Sequence, residues 1–220
     1  MGRRALRPID PTLDLSRHFA VLENVAQPFD PLAIFGRSAP LEIEVGSGKG
    51  LFLSAAAAGD SRGDFLGIEI VGRYARFTAA RLAQRELANA RIIHGDAQHF
   101  FRSWLSDESV RAVHVYFPDP WWKARHRKRR VMNADFLRDV ERVLVPGGTL
   151  HFWTDVREYY ETTLALVAAE SKLDGPHRVS EKPADHDLDY RTHFERRMRL
   201  HNEPVHRAEF RKREKGGAPV

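Results

Sequence analysis

Five short apolar runs, Leu41–Val45, Phe65–Ile70, Arg91–His94, Ala112–Phe117 and Thr149–Trp153, alternate with alanine- and leucine-rich stretches of helical length such as Leu51–Ala58 and Tyr74–Ala88. Parallel strands cannot be joined by a tight turn; each needs a crossover of roughly a dozen residues or more, usually helical. The alternation therefore predicts a parallel sheet covered by helices on both faces. A chain of 220 residues, 42% of them hydrophobic, is long and apolar enough for one such core. Before Leu41 the prolines and the weak periodicity predict a partly ordered N-terminal arm over residues 1–39. One domain over 40–213 and a flexible tail over 214–220 complete the expected layout, with the Asp189–Arg197 stretch compatible with late, antiparallel strands.

The turn after the first run, Glu44-Val45-Gly46-Ser47-Gly48-Lys49-Gly50, is rich in glycine and must open a helix. A phosphate-binding P-loop needs glycine at position 43 and a hydroxyl residue at position 50, where this chain has Ile43 and Gly50. A dinucleotide fingerprint needs its third glycine where Leu51 stands. Two further acids close the next two runs: Glu69 ends the second, and Asp96 follows the third. One acid alone is an ordinary solvated loop residue, but an acid at each of three successive strand ends points to a polar ligand lying across the sheet rim.

The fourth run leads into Phe117-Pro118-Asp119-Pro120-Trp121-Trp122, and then into six cationic side chains within eight positions: Lys123, Arg125, Arg127, Lys128, Arg129 and Arg130. An isolated basic run is usually a solvated face. Adjacent tryptophans flanked by prolines and a cationic block are poor core residues, so Trp121 or Trp122 should be available to stack on a base. The formal net charge of +5 fits a polyanionic partner. Some of these arginines are expected to pair with internal acids and fix the loop. With no cysteine in the chain, disulfides, zinc–thiolate sites and cysteine nucleophiles are excluded. The histidines show no metal-ligand spacing, so no metal is predicted, and no stretch has membrane-spanning length. A cytoplasmic location fits this composition.

An acid followed by Gly-x-Gly-x-Gly resembles the first motif of class I S-adenosylmethionine-dependent methyltransferases. The Pro146-Gly147-Gly148 turn before the fifth run is also common in them. More narrowly, Leu41 to Arg197 resembles the tRNA (guanine-N7)-methyltransferase family through Phe117 to Trp121, Lys123 to Arg130, Thr154-Asp155 and Thr192-His193-Phe194-Glu195-Arg196. The resemblance implies an α/β, Rossmann-like class I methyltransferase fold with a mostly parallel seven-stranded sheet and helices on both faces. It implies methyl transfer from S-adenosylmethionine to N7 of a variable-loop guanine in tRNA, with Asp119 at the active site. The cofactor positions implied are Glu44, Gly46, Gly48, Glu69, Asp96 and Asp119, and the substrate positions Lys123, Asp155, Thr192, His193, Phe194 and Glu195. Arg125, Arg127, Lys128, Arg129 and Arg130 are the expected tRNA phosphate contacts. No obligatory protein partner and no membrane is expected, and the protein is expected to be a monomer or homodimer.

N7 of guanine already carries an in-plane lone pair, so this chemistry needs alignment and charge accommodation rather than a base or a covalent intermediate. Either Asp119 or Asp155 is placed to read the guanine edge. Two other readings stand beside it: an exocyclic-amine methyltransferase, suggested by Asp119-Pro120-Trp121, and a non-catalytic RNA-binding protein of the same fold.

Overall fold

The computed structural model describes residues 6–181 and 190–214. Residues 1–5 of the expected arm, Asp189 and all of the tail except Glu214 lie outside the described residues. The strands are β1 (Phe19–Val21), β2 (Leu41–Val45), β3 (Asp64–Glu69), β4 (Ala90–His94), β5 (Val110–Tyr116), β6 (Leu144–Thr154), β7 (Asp174–Arg178) and β8 (His206–Arg211). Between them run α1 (Pro31–Phe35), α2 (Leu51–Gly59), α3 (Gly72–Gln84), α4 (Ala97–Ser103), α5 (Ala134–Val143), α6 (Arg157–Glu170) and α7 (His193–Leu200).

The strands form one sheet in the order β1-β4-β3-β2-β5-β6-β8-β7. Every neighbouring pair from β1 to β6 is parallel, and β8 runs antiparallel to both β6 and β7. Strand β3 is buried along its whole length, as expected of a parallel strand covered on both faces. On one face Leu53 and Ala57 of α2 and Ala75, Ala79 and Leu82 of α3 pack against Phe65 and Ile92. The other face holds Phe35, Phe100, Phe101, Phe136, Val140 and Tyr159 over Ile43, Val113 and Phe152. Side-chain caps start three of the helices on that second face, α1, α4 and α5. Asp30 accepts from Leu32 N–H, Asp96 from Gln98 and His99 N–H, and Asn133 from Phe136 N–H.

The sheet has eight strands where seven were expected. The extra one is β1, three residues from the segment read as an arm, whose Phe19 pairs in register with Ile92 of β4. The same segment buries Leu22, Phe29 and Phe35 in the main core. The stretch before Arg197, compatible with strand in the sequence, instead enters α7, because Thr192 caps a helix through Glu195 N–H. The antiparallel end of the sheet comes from β7 and β8. No helix among the described residues is long and apolar enough to cross a membrane.

Close packing of α2 on the sheet depends on Gly67 in the middle of β3. A Cβ there would collide with Ser47 Oγ, and would lie 2.6 Å from Ile92 Cδ1 and 2.9 Å from Leu53 Cδ2. Gly67→Ala should therefore lower unfolding free energy by roughly 1–3 kcal/mol. The urea midpoint measures this; an unchanged midpoint would show that the sheet yields at no cost.

Candidate active site

Strand order reverses between β2 and β5, so the connections from these two neighbours leave on opposite sides and open a crevice at their carboxyl ends. Val45 of β2 lies beside Ile68 of β3 and Val115 of β5, Glu69 beside His94, and Tyr116 beside Trp153. The segments following these residues therefore share one rim. That rim carries Glu44, Glu69, Asp96, Asp119 and Asp155, each from a different strand end.

The glycine turn is built for backbone approach. Gly46 and Gly48 have φ values of +79° and +53°, with open space where a side chain would stand. Gly50, at +67°, is needed for a different reason, because a Cβ would lie 2.5 Å from Thr78 Cγ2 on α3. Glu69 ties this turn to the next one. Its Oε2 accepts from Gly48 N–H at 2.8 Å and its Oε1 from Val71 N–H at 2.8 Å. Burial, reinforced by the nearby Asp119 charge, raises the Glu69 carboxyl above its usual range despite those two bonds.

Glu44 is more isolated. It is buried, and neither its Oε2 nor Ser47 Oγ beside it makes a well-aligned hydrogen bond among the described residues, although Ser47 and the Leu53 N–H lie near enough to its carboxyl to favour the charged form. Burial pushes the Glu44 carboxyl up to about 8, with the Glu69 charge adding to the effect. A buried acceptor without a donor is a costly arrangement that a bound ammonium group would relieve. Next to Glu69, Ile70 is 67% exposed and offers an apolar surface at the rim. These residues fit a ligand that combines a cationic amino group, hydroxyls and a flat ring.

Asp119 is exposed at the opposite wall of the crevice. The loop that presents it is strained, since Phe117 and Trp121, on either side of Pro118-Asp119-Pro120, adopt φ values of +51° and +46°. Bulky side chains in that region cost on the order of 1–3 kcal/mol each and persist only where the surroundings hold them. Phe117 N–H donates to Trp153 O at 2.8 Å, and its ring stacks on Phe194 at 5.9 Å. Arg130 Nε donates to Pro120 O at 2.9 Å, its Nη2 meets Glu158 Oε2 at 2.7 Å, and its guanidinium lies 4.3 Å from the Tyr159 ring centroid. Arg129 covers the Trp121 ring at 5.1 Å, whereas Trp122 is 68% exposed.

Helix α7 closes the rim. Thr192 Oγ1 accepts from Glu195 N–H, and Glu195 Oε2 accepts from Arg191 N–H, a variant of the capping box shifted by one residue. The Arg191 guanidinium lies 5.7 Å from both the Phe52 and Trp153 ring centroids.

Residues 38–208 match the protein family described as "Putative methyltransferase". A tRNA (guanine-N(7)-)-methyltransferase from Rhodopirellula baltica is 46% identical, with the alignment covering 97% of this chain and 81% of that protein. One from Alkalilimnicola ehrlichii is 36% identical over 98% of this chain and 88% of its own length. The chain belongs to the tRNA (guanine-N7-)-methyltransferase family. Among solved structures, the aminoglycoside resistance methyltransferase NpmB1 shares the fold at a TM-score of 0.52 and 19% identity, covering 81% of this chain and 89% of that one. A 30S ribosomal A1408 methyltransferase from an uncultured bacterium does so at 0.52 and 14%, covering 82% and 91%.

Within this methyltransferase Glu44, Gly46, Gly48, Glu69, Asp96, Asp119 and Asp155 all stand at or just beyond the carboxyl ends of the parallel strands. Lys123, Arg125, Arg127, Lys128 and Arg129 are exposed along the loop after Asp119. Two expectations need correction. Arg130 is only 7% exposed and is occupied by Pro120, Glu158 and Tyr159, so it braces the loop and is not available to a phosphate. Glu195 is buried and paired with Arg207 at 3.1 Å and Arg199 at 3.6 Å, so it anchors α7. Thr192 is likewise used as the cap, while His193 and Phe194 are exposed on the first turn of α7. Among the described residues no group of three His, Asp or Glu side chains is placed to hold a metal ion.

Sequence reasoning missed Ile70, although an apolar residue directly after a strand-end acid was a readable signal. It also missed Glu158, which carried none. Arg130→Ala should lower unfolding free energy by about 2–4 kcal/mol, whereas Arg129→Ala should cost under about 1 kcal/mol. Equal losses in chemical denaturation would refute the division of labour between the two arginines. For Glu44, a carboxyl raised in the folded state favours folding below its unfolded value and loses that contribution as pH rises towards 8. Glu44→Gln cannot titrate, so the ligand-free variant should match wild type near pH 5 and exceed it by a few kcal/mol above pH 8; a pH-independent difference would contradict the buried, proton-binding carboxyl.

Proposed function

We propose that the chain transfers the methyl group of S-adenosylmethionine to N7 of a variable-loop guanine in tRNA. It does so in the cytoplasm, as a monomer or homodimer without an obligatory protein partner. The observation that carries this reading is the placement of Asp119, held by two strained aromatic residues at the switch point, close enough to Glu69 for their charges to interact. The names of the relatives and the exposed cations after Asp119 support tRNA as the substrate.

S-adenosylmethionine, when bound, supplies an electrophilic methyl on a cationic sulfur. Glu44 offers its unpartnered Oε2 to the amino acid end, which turns a costly buried carboxyl into half of an ion pair. The open backbone at Gly46 and Gly48 lets that end approach the turn. Glu69 retains lone pairs for the ribose hydroxyls after accepting from Gly48 and Val71. Both cap bonds of Asp96 fall on Oδ1, which leaves Oδ2 for the adenine amino group, and Ile70 supplies an apolar surface for the ring.

On the substrate side no residue has to remove a proton, because N7 is already nucleophilic. Asp119 accepts hydrogen bonds from N1–H and N2–H of guanine, a pattern that adenine cannot offer, and its charge favours the cationic product. At about 4 Å and an effective dielectric near 20, such an attraction is on the order of 4 kcal/mol before desolvation. Asp155, at the end of the next strand, adds a second carboxylate to the same wall. N7 of a paired guanine faces the deep groove of an A-form helix, so the target base has to leave its stack. Trp122 is exposed to receive a neighbouring base, and Lys123, Arg125, Arg127, Lys128 and Arg129 hold the flanking phosphates.

Asp119→Asn should cut kcat/KM for tRNA by at least about 100-fold, with the fold intact by circular dichroism. Near-normal turnover would remove Asp119 from the guanine-reading role.

A further inference from the structure

Helix α3 carries arginines at positions 73, 76 and 81, its C-cap is Arg85, and there is no acid from Gly72 to Gln84. Among the described residues these four arginines meet no carboxylate. Three of them lie over aromatic rings instead: Arg73 over Tyr74 at 5.1 Å, Arg76 over Phe19 at 4.9 Å and Arg81 over Phe77 at 5.9 Å. Burial first, and then the neighbouring Arg85 charge, pulls Arg81 below the usual arginine range.

The helices on the other face are built differently. Arg138 of α5 pairs with Asp135 and with Glu170, Arg142 with Asp107 at 2.8 Å, and Arg157 of α6 with Glu161 at 2.7 Å. An ordinary solvated helix face intersperses acids in this way. Helix α3 does not.

Its position gives the charge a use. Helix α3 leaves the rim directly after Glu69 and packs with α2 on one face of the sheet, and at ~1.5 Å per residue it runs ~20 Å along that face. The Lys123–Arg129 segment is braced through Arg130 onto α6, on the opposite face. The rim holding Asp119 therefore lies between two cationic surfaces, one on each side. A mononucleotide cannot reach both.

We infer that α3 is a second docking surface for the phosphate backbone of the RNA substrate, so that the tRNA straddles the rim and is gripped on both faces of the sheet. The inference rests on the tRNA reading above. It extends that reading to a surface remote from the reacting atoms.

The test compares wild type with the exposed-residue variant Arg73→Gln/Arg76→Gln/Arg85→Gln, and with Arg73→Lys/Arg76→Lys/Arg85→Lys. Glutamine and lysine keep much of the side-chain stem, and S-adenosylmethionine affinity checks that the fold is intact. Binding of unmodified tRNA is measured by filter retention across a salt series. The glutamine variant should bind tRNA at least about 10-fold more weakly at low salt, and the slope of log affinity against log salt should fall by about 2–3. Its affinity for S-adenosylmethionine should be unchanged, and the lysine variant should stay near wild type. Wild-type tRNA binding and slope in the glutamine variant would overturn the inference while leaving the tRNA reading intact. A lysine variant as weak as the glutamine one would overturn the electrostatic account. Failure of the wild type itself to bind tRNA would overturn both.

Discussion

Reversal of strand order between β2 and β5 is the constraint on which the rest of this molecule depends. Parallel pairing from β1 to β6 sends the carboxyl ends of those strands to one rim, and the reversal parts the two central connections so that a ligand can enter between them. The glycine turn after β2 and the strained loop after β5 form the two walls of that opening. Glu69 then fixes the spacing of the first wall by giving one oxygen to each of two turns. Among the described residues the second wall has no such internal carboxylate clamp. Its loop is held from outside by Arg130, which reaches back to Pro120 O while anchored to Glu158 of α6.

The two walls carry costs of different kinds. On the cofactor side the cost is electrostatic, in a buried Glu44 whose Oε2 lacks a donor among the described residues. On the substrate side it is conformational, in two aromatic residues at positive φ. Each cost has a functional counterpart: the first is relieved by a cationic ligand group, and the second aims Asp119 into the crevice. Such departures from local rules are characteristic of binding and catalytic sites, where the surrounding fold supplies the compensating stability.

Strands β2 to β6 and the acids at their ends were legible in the sequence because parallel strands buried on both faces read as apolar runs, and the residues just beyond them fall on the rim. Strand β1 was not, since Phe19-Ala20-Val21 is too short to show a period and is defined only by its pairing with β4. Helix α7 lies in a stretch that was also compatible with strand; Thr192 and Glu195 stand at capping-box spacing, a local signal that outweighed the alternation around it. That some arginine of the run would pair with an acid and fix the loop was expected, but that it would be Arg130 could not be read. Nothing within a run of six cations distinguishes the one that folds back onto a glutamate on another helix. The left-handed Phe117 and Trp121 are similarly hidden, because sequence rules reserve such positions for glycine or asparagine.

Substrate reach follows from the same geometry. Cationic side chains on the loop after Asp119 and along α3 leave the acidic rim between them, so that phosphates are attracted to the flanks and a base to the centre. The most direct measurement of the central claim is nucleoside analysis after incubating the purified protein with unmodified tRNA and methyl-labelled S-adenosylmethionine. Label should appear in 7-methylguanosine from a single variable-loop position. Label in any other nucleoside, or none above background, would contradict that claim.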